Sequence, residues 1–331
     1  MKRREFITVL GGMAACAFAA QAEPGPSDSM RPVGILLGWS HSDPEGQARL
    51  RAFTEAFKKL GWSDGFNVQL HVRWLDDRPI SVLDSLASDL LSRGAEVIVT
   101  GGTPSLAALQ RATKSVPVVF AQVSDPVGAG FVSNIAHPGG NVTGFTDYEY
   151  TFSLKWLQLL KELAPDVGRV GVVHDVNNAI SYKFLSHMEA LSASIGVSTV
   201  RLPLRNFDDV DRTIGEFAKS KGGGLVILAG ALTQQHRNEI VRRAANYRLP
   251  AVYPFRLFAE SGGLISYGAD VLSMYQGAAV YVDRILNGAK LANLPVQFAT
   301  RFELVLNLRT AKALGLVPPS SLTARADEVI E

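Results

Sequence analysis

The chain has 331 residues, 47% hydrophobic and 19% charged, which suits two ordinary domains with cores of their own and does not fit a disordered chain. Lys and Arg number 33 and Asp and Glu 31, a net charge of +2 that argues against a nucleic-acid partner. A single Cys excludes an internal disulfide, a Cys-based zinc site and an iron–sulfur cluster, and six scattered His include no HExxH pair.

The first 22 residues read as a secretory signal peptide. Lys2, Arg3 and Arg4 open it, Phe6 to Ala20 is an uncharged, mostly apolar run, and Ala20-Gln21-Ala22 is a small-residue cleavage site. Arg3-Arg4-Glu5-Phe6-Ile7 also resembles a twin-arginine export signal, and a Sec signal with two incidental arginines is the alternative. Cys16 follows Met13-Ala14-Ala15, a poor lipidation site, so cleavage after Ala22 is expected in preference to a lipid anchor. Removing residues 1–22 takes away the Cys and leaves equal numbers of acidic and basic side chains.

After a polar tether over residues 23–30 a regular alternation begins. Val33 to Leu37 reads as a buried strand. Ser42-Asp43-Pro44-Glu45 then starts a helix that Gly61 stops. The pattern predicts strands at Val68 to Leu75, Glu96 to Thr100 and Val116 to Ala121, with helices at Ser81 to Ser92 and Pro104 to Thr113 between them. The same rhythm returns with helices at Phe152 to Leu163, Ala179 to Ser194, Asp208 to Ser220 and Thr233 to Tyr247. Strands are expected at Arg169 to Val173, Ser198 to Pro203, Leu225 to Leu228 and Ala251 to Tyr253. Leu264 to Tyr267, a helix at Val271 to Asn287, Phe302 to Asn307 and Arg309 to Leu314 close the series. The fold class is therefore α/β, and about ten strands divide better into two doubly wound parallel-sheet lobes than into one sheet. The turn-rich Pro138-Gly139-Gly140-Asn141-Val142-Thr143-Gly144 marks the break between them.

There is no phosphate loop, no GxSxG elbow and no GxGxxG after the first strand. Asp76-Asp77 and Asp208-Asp209 lie near predicted helix starts and read as caps rather than as catalytic pairs. In open α/β sheets ligands bind beyond the carboxyl ends of the strands, so those segments carry the candidates. Gly101-Gly102-Thr103-Pro104-Ser105 is either a plain helix start or an anion site with Thr103 and Ser105 as added donors. In Gln122-Val123-Ser124-Asp125-Pro126 the carboxylate of Asp125 could pair with a ligand ammonium or cap a short helix. His174-Asp175-Val176-Asn177-Asn178 is a polar strand end or an Asn-rich turn. Trp39, Tyr253, Phe255 and Tyr267 stand at strand ends, where they either clamp an apolar ligand or simply pack. His41 and His174 are lone histidines, and no metal site is expected.

Six segments, in this order, carry a resemblance to a known family: Gly101-Gly102-Thr103-Pro104, Ser124-Asp125-Pro126-Val127, PGGNVTG from Pro138, GGLISYG from Gly262, AVYVDRILNG from Ala279 and FELVLNLRTAKALG from Phe302. From Val33 to Glu331 the chain resembles the ABC-transporter substrate-binding proteins typified by the bacterial tryptophan/tyrosine-type binding proteins. The resemblance implies a type I periplasmic binding (venus flytrap) fold, a ligand held between the lobes, and delivery to a membrane permease with its own ATPase. By motif position, Thr103 and Ser105 would hold a carboxylate and Asp125 an ammonium, while Asn177, Tyr253, Tyr267 and Asp270 would line the far wall.

The expected organisation is an N-lobe of residues 31–145 plus about 268–298 and a C-lobe of residues 146–267 plus about 299–331. Crossings are expected near Gly144-Phe145, Tyr267-Gly268 and Phe298 to Arg301. The expected function is a periplasmic, monomeric solute-binding protein that closes over a small polar or amino-acid-like ligand. Trp39, Thr103, Ser105, Ser124, Asp125, Asn177, Tyr253, Tyr267 and Asp270 are the candidate contacts. No catalysis, cofactor, metal or nucleic acid is expected. An exported α/β enzyme and a ligand-sensing subunit of a membrane receptor are the alternatives.

Overall fold

A computed structural model describes residues 30–147 and 152–331; the leader, its cleavage site and Cys16 lie outside the described residues. Two sheets organise the chain. The first has six strands in the spatial order Gln297–Phe298, Val142–Thr146, Val118–Ala121, Val97–Gly101, Arg31–Leu37 and Val68–Trp74, all parallel. The second has seven, in the order Glu328–Ile330, Phe302–Asn307, Ile265–Ala269, Ala251–Tyr253, Gly223–Ile227, Arg169–Asp175 and Ser198–Leu204. Its one antiparallel pairing joins Ile265–Ala269 to Phe302–Asn307.

The sequence explains these strands directly. Val97–Gly101 and Val118–Ala121 are buried throughout and apolar but for Thr100, whose hydroxyl donates to the Leu36 carbonyl, as suits strands covered by helices on both faces. The helix Pro44–Lys59 starts as the sequence predicts: Asp43 is the N-cap, its carboxylate accepting from the Glu45 amide at 2.9 Å, with Pro44 in the first turn. Its apolar face buries Phe53 and Phe57, which stack at 5.2 Å.

Several elements depart from the sequence reading. Val142–Thr146, inside the segment read as a break, is a full strand of the first sheet. Gly144 permits it, because a Cβ there would sit 2.0 Å from the Phe120 carbonyl oxygen in the neighbouring strand. The predicted helix from Thr233 to Tyr247 is two, Ala231–Gln235 and Arg237–Asn246, meeting at His236. The short strands Gln297–Phe298 and Glu328–Ile330 lack the length for a periodic signal. The acidic pairs also take other roles. Asp76 adopts a left-handed φ of 55° and accepts from the His41 amide, which holds its carboxyl below the usual carboxylate range. Asp209 accepts from the Arg205 amide at 2.9 Å, while Asn206 receives the Asp209 amide.

The chain passes between the sheets three times, after Thr146, between Ala269 and Asp270, and between Phe298 and Phe302. The second passage falls two residues beyond the predicted Tyr267, because Ile265–Ala269 continues pairing with Phe302–Asn307 to its last residue. The helix Val271–Leu286 thereby returns to the first sheet, where the Trp62 indole donates to Asp283 at 2.9 Å and Tyr281 meets the Phe145 ring at 5.0 Å. The passages are laced together: the Ala299 amide donates to the Thr146 carbonyl at 2.9 Å, and the Asp270 amide to that of Arg301 at 3.0 Å.

Gly144→Ala is expected to destabilise the protein by about 3 kcal/mol or more, since a backbone oxygen cannot step aside as a side chain can. Urea unfolding of the variant measures this, and an unchanged midpoint would show that the ladder tolerates a side chain there.

Candidate functional site

In each sheet the strand order reverses at one place. In the first sheet it lies between Arg31–Leu37 and Val97–Gly101, in the second between Arg169–Asp175 and Gly223–Ile227. Connections leave a reversal point toward opposite faces, so a crevice stays open at the strands' carboxyl ends. Both crevices open into one cleft of about 230 Å³. Gly38, Trp39 and Gly101 to Ser105 line it from the first sheet; Asp175, Asn177, Asn178 and Ala229 to Ala231 line it from the second.

The Gly101–Ser105 wall is the start of the helix Thr103–Ala112. Its N-cap is Gly102 at φ 80°, and among the described residues no side chain caps it. The Thr103 and Ser105 amides at this positive helix end suit an anion. Gly101 is required by its surroundings, because a Cβ would lie 1.8 Å from the Tyr275 hydroxyl. Tyr275 is fully buried behind the loop, and burial pushes its hydroxyl up to about 12.

Two carboxylates face the same space from opposite sheets. Asp147, 3% exposed, accepts from the Ser124 hydroxyl at 2.6 Å. Asp175, 4% exposed, accepts from the Asn177 amide at 2.8 Å and the Leu232 amide at 3.3 Å. Leu75, Ile80, Leu83, Pro104 and Ala107 supply an apolar side to the cleft, next to Trp39. The Trp39 ring carries the Arg49 guanidinium 4.4 Å from its centroid and that of Arg237 at 6.0 Å.

Polar contacts also run across the cleft. Arg237 grips Asp43 with two bonds of 3.0 Å. The Gln122 amide donates to Gln234 at 2.9 Å and receives Arg49 at 3.4 Å. Gln235 donates to the Gly38 carbonyl at 3.3 Å. Gln122 holds a left-handed φ of 57°, a strained backbone for a non-glycine residue at the cleft wall.

Of the nine residues singled out from sequence, Trp39, Thr103, Ser105, Ser124 and Asn177 line the cleft. The other four are placed elsewhere, each for a visible reason. Asp125 pairs with Lys183 at 2.6 Å and accepts the Gly128 amide. Tyr253, 1% exposed, stacks on Phe258 at 5.2 Å inside the C-terminal sheet's core. Tyr267 lies among Phe152 and Phe302, 6.1 and 6.2 Å away. Asp270 caps Val271–Leu286 through the Ser273 amide and pairs with Arg301 at 3.5 Å, a role at a crossing. Gln122, Asp147, Asp175, Gln234 and Gln235 line the cleft without having been singled out as contacts. Gln122, Asp147 and Asp175 end or directly follow strands, so their signal was position; for Asp147 it was hidden because its strand went unrecognised. His174 is buried, its Nδ1 3.1 Å from the Val172 carbonyl, and burial holds its pKa down. Among the described residues no group of three or more His, Cys, Asp or Glu could hold a metal ion.

A model of the ABC transporter substrate binding protein family matches residues 41–330. The chain belongs to that family. A tyrosine-binding protein from Clostridioides difficile is 25% identical over 299 residues, 90% of this chain and 85% of the relative. A crystal structure of a conserved domain protein from Vibrio cholerae is 26% identical with a TM-score of 0.84, covering 91% of this chain and all of that one. A domain from Streptococcus pneumoniae in complex with L-Trp is 23% identical with a TM-score of 0.83 over 91% of this chain and all of that one. The fold is the type I periplasmic binding fold.

Gly101→Ala is expected to cost about 2 kcal/mol of stability, because Tyr275 is packed too tightly to retreat. Adding Tyr275→Phe removes the clashing oxygen and should restore part of that loss. Urea midpoints of the three variants test this, and an undiminished Gly101→Ala protein would show that Tyr275 does not set the loop.

Proposed function

We propose that the protein is the solute-binding component of an ABC importer, exported to the periplasm, which captures a small zwitterion with an apolar side chain, of the aromatic amino-acid class. The observation that carries this is the composition of one cleft: an uncapped helix start, two buried carboxylates from opposite sheets and an apolar side. The ligand carboxylate lies at the Thr103 and Ser105 amides. Its ammonium is held by Asp147 and Asp175, and its side chain rests on Leu75, Leu83 and Pro104 beside Trp39. The tyrosine-binding relative and the L-Trp complex support the ligand class.

The two sheets with their helices act as lobes hinged at the three crossings, and function is closure. Only a ligand that touches both lobes better when closed shifts that equilibrium. Lining residues from both sheets support such a reading. The bidentate Arg237–Asp43 pair, both side chains mostly buried, serves as a latch for the closed state. The released ligand passes to a membrane permease driven by its ATPase.

A thermal-shift and calorimetric panel tests the ligand class. Ligand at ~100 times its Kd should stabilise by about 2.7 kcal/mol. L-Trp, L-Tyr and L-Phe should bind, and tryptamine and indole-3-propionate, which lack one charge each, should bind at least ~10-fold more weakly. Absence of a shift with any amino acid would overturn this reading. For the latch, Asp43→Asn should weaken ligand binding ~10-fold at low salt by depopulating the closed state. The gap should narrow at high salt; an equal Kd for both proteins at low salt would remove the pair from closure.

A further inference from the structure

A second cavity, of about 350 Å³, lies along the outer strand of the seven-stranded sheet and shares no lining residue with the cleft. Val200 and Leu202 of Ser198–Leu204 and Phe217 of the helix Asp209–Ala218 give it an apolar floor. Its polar wall is arginine: Arg169 from the start of one strand, Arg201 and Arg205 in and after the next, and Arg212 from the helix.

Three of these arginines are partly satisfied. Arg201 holds Glu189 at 2.6 Å, and Arg212 and Arg205 share Asp209, the latter at 3.8 Å. Glu216 also lines the cavity. Arg169 differs. Its guanidinium carbon lies over the Phe217 ring, 4.8 Å from the centroid, and its Nη1 is buried with no hydrogen-bond partner among the described residues. No ion pair engages Arg169 among the described residues. A guanidinium cannot shed its charge by deprotonation, so its unmet need is for an acceptor oxygen. Stacking on an aromatic ring occupies the face of the group and leaves its fork of N–H donors at the edge.

We infer that this cavity is a second binding site, for the phosphate group of an organic phosphate. Guanidinium groups arrive from two strands and a helix, that is, from several directions, which matches a tetrahedral oxyanion better than a flat carboxylate. The cavity exceeds one phosphate in size, and its Val200, Leu202 and Phe217 floor accommodates the ester's carbon portion. A free phosphate ester and a phospholipid headgroup present the same chemistry, and the experiment separates them.

The purified protein is titrated at low salt with glycerol 3-phosphate, with inorganic phosphate and with succinate, by calorimetry. It is also sedimented with phosphatidylglycerol and with phosphatidylcholine vesicles. Glycerol 3-phosphate should bind, more tightly than succinate, and Arg169→Gln should weaken it at least 10-fold while L-Trp binding stays unchanged. Arg212→Gln, at an exposed side chain, should weaken it several-fold and guards against a folding defect in the first variant. Binding of the free ester without vesicle capture assigns a soluble phosphate; capture by phosphatidylglycerol alone assigns a headgroup. Failure of every phosphate probe, tighter binding of succinate, or full phosphate binding by Arg169→Gln with Arg212→Gln also unaffected would overturn the site.

Discussion

The rest of the structure depends on the reversal of strand order in each sheet. Helices on either side of a reversal run away from it, so the backbone there ends in free amides and unfilled space. Two such sheets, joined so that their crevices face one another, create a cleft without a hole in either core. Each core can then be packed fully: Val97–Gly101, Val118–Ala121 and Gly223–Ile227 are buried at every position. The cleft's two buried carboxylates stand at strand ends, where turns begin and backbone donors need partners anyway.

That placement also governs the electrostatics. A buried carboxylate is costly unless donors surround it. Asp175 accepts from two backbone amides and Asp147 from a hydroxyl, so each buried carboxylate has donors of its own. The helix start at Gly102 presents the opposite polarity across the space. Separation of the two signs within one cavity favours a ligand that carries both. Under the proposed reading, a lone anion or a lone cation would satisfy half of the wall and leave the other half unpaired.

Most of the fold was legible because buried parallel strands advertise themselves. VIVTG and VVFA admit no other sensible reading between helix-period segments. Val142–Thr146 was not legible, because Thr143 and Gly144 look like turn residues unless one knows that the Phe120 backbone lies against them. The loss propagated: without that strand, Asp147 had no strand end to mark it, and Asp125, next to a visible one, took its place as the expected acid. Thr103 and Ser105 were legible from chemistry, since Gly-Gly before a Pro-containing helix start carries its own meaning. Tyr253 and Tyr267 are absent from the cleft lining for the opposite reason. A strand-end aromatic belongs to cleft or core according to which face of the sheet it takes, and one register step decides that.

The crossings set what closure can be. The Ala299–Thr146 and Asp270–Arg301 hydrogen bonds tie the three crossing segments together, so the proposed closure would be a swing of the lobes with little freedom to slide. Swinging opens the side remote from the crossings most. In the proposed closure the groups that gain or lose most contact are those reaching across the gap, among them Arg237 with Asp43, Gln234 with Gln122, Gln235 with Gly38 and Lys183 with Asp125. Two of these bridges hold residues that also line the cleft directly, Gln122 and Gly38. In the proposed closure, filling the cleft and forming the bridges would therefore be coupled events. Gln122 holds its left-handed backbone at the point where its side-chain amide donates to Gln234 and its Oε1 accepts from Arg49, so the strain sits at a bridge between the two halves.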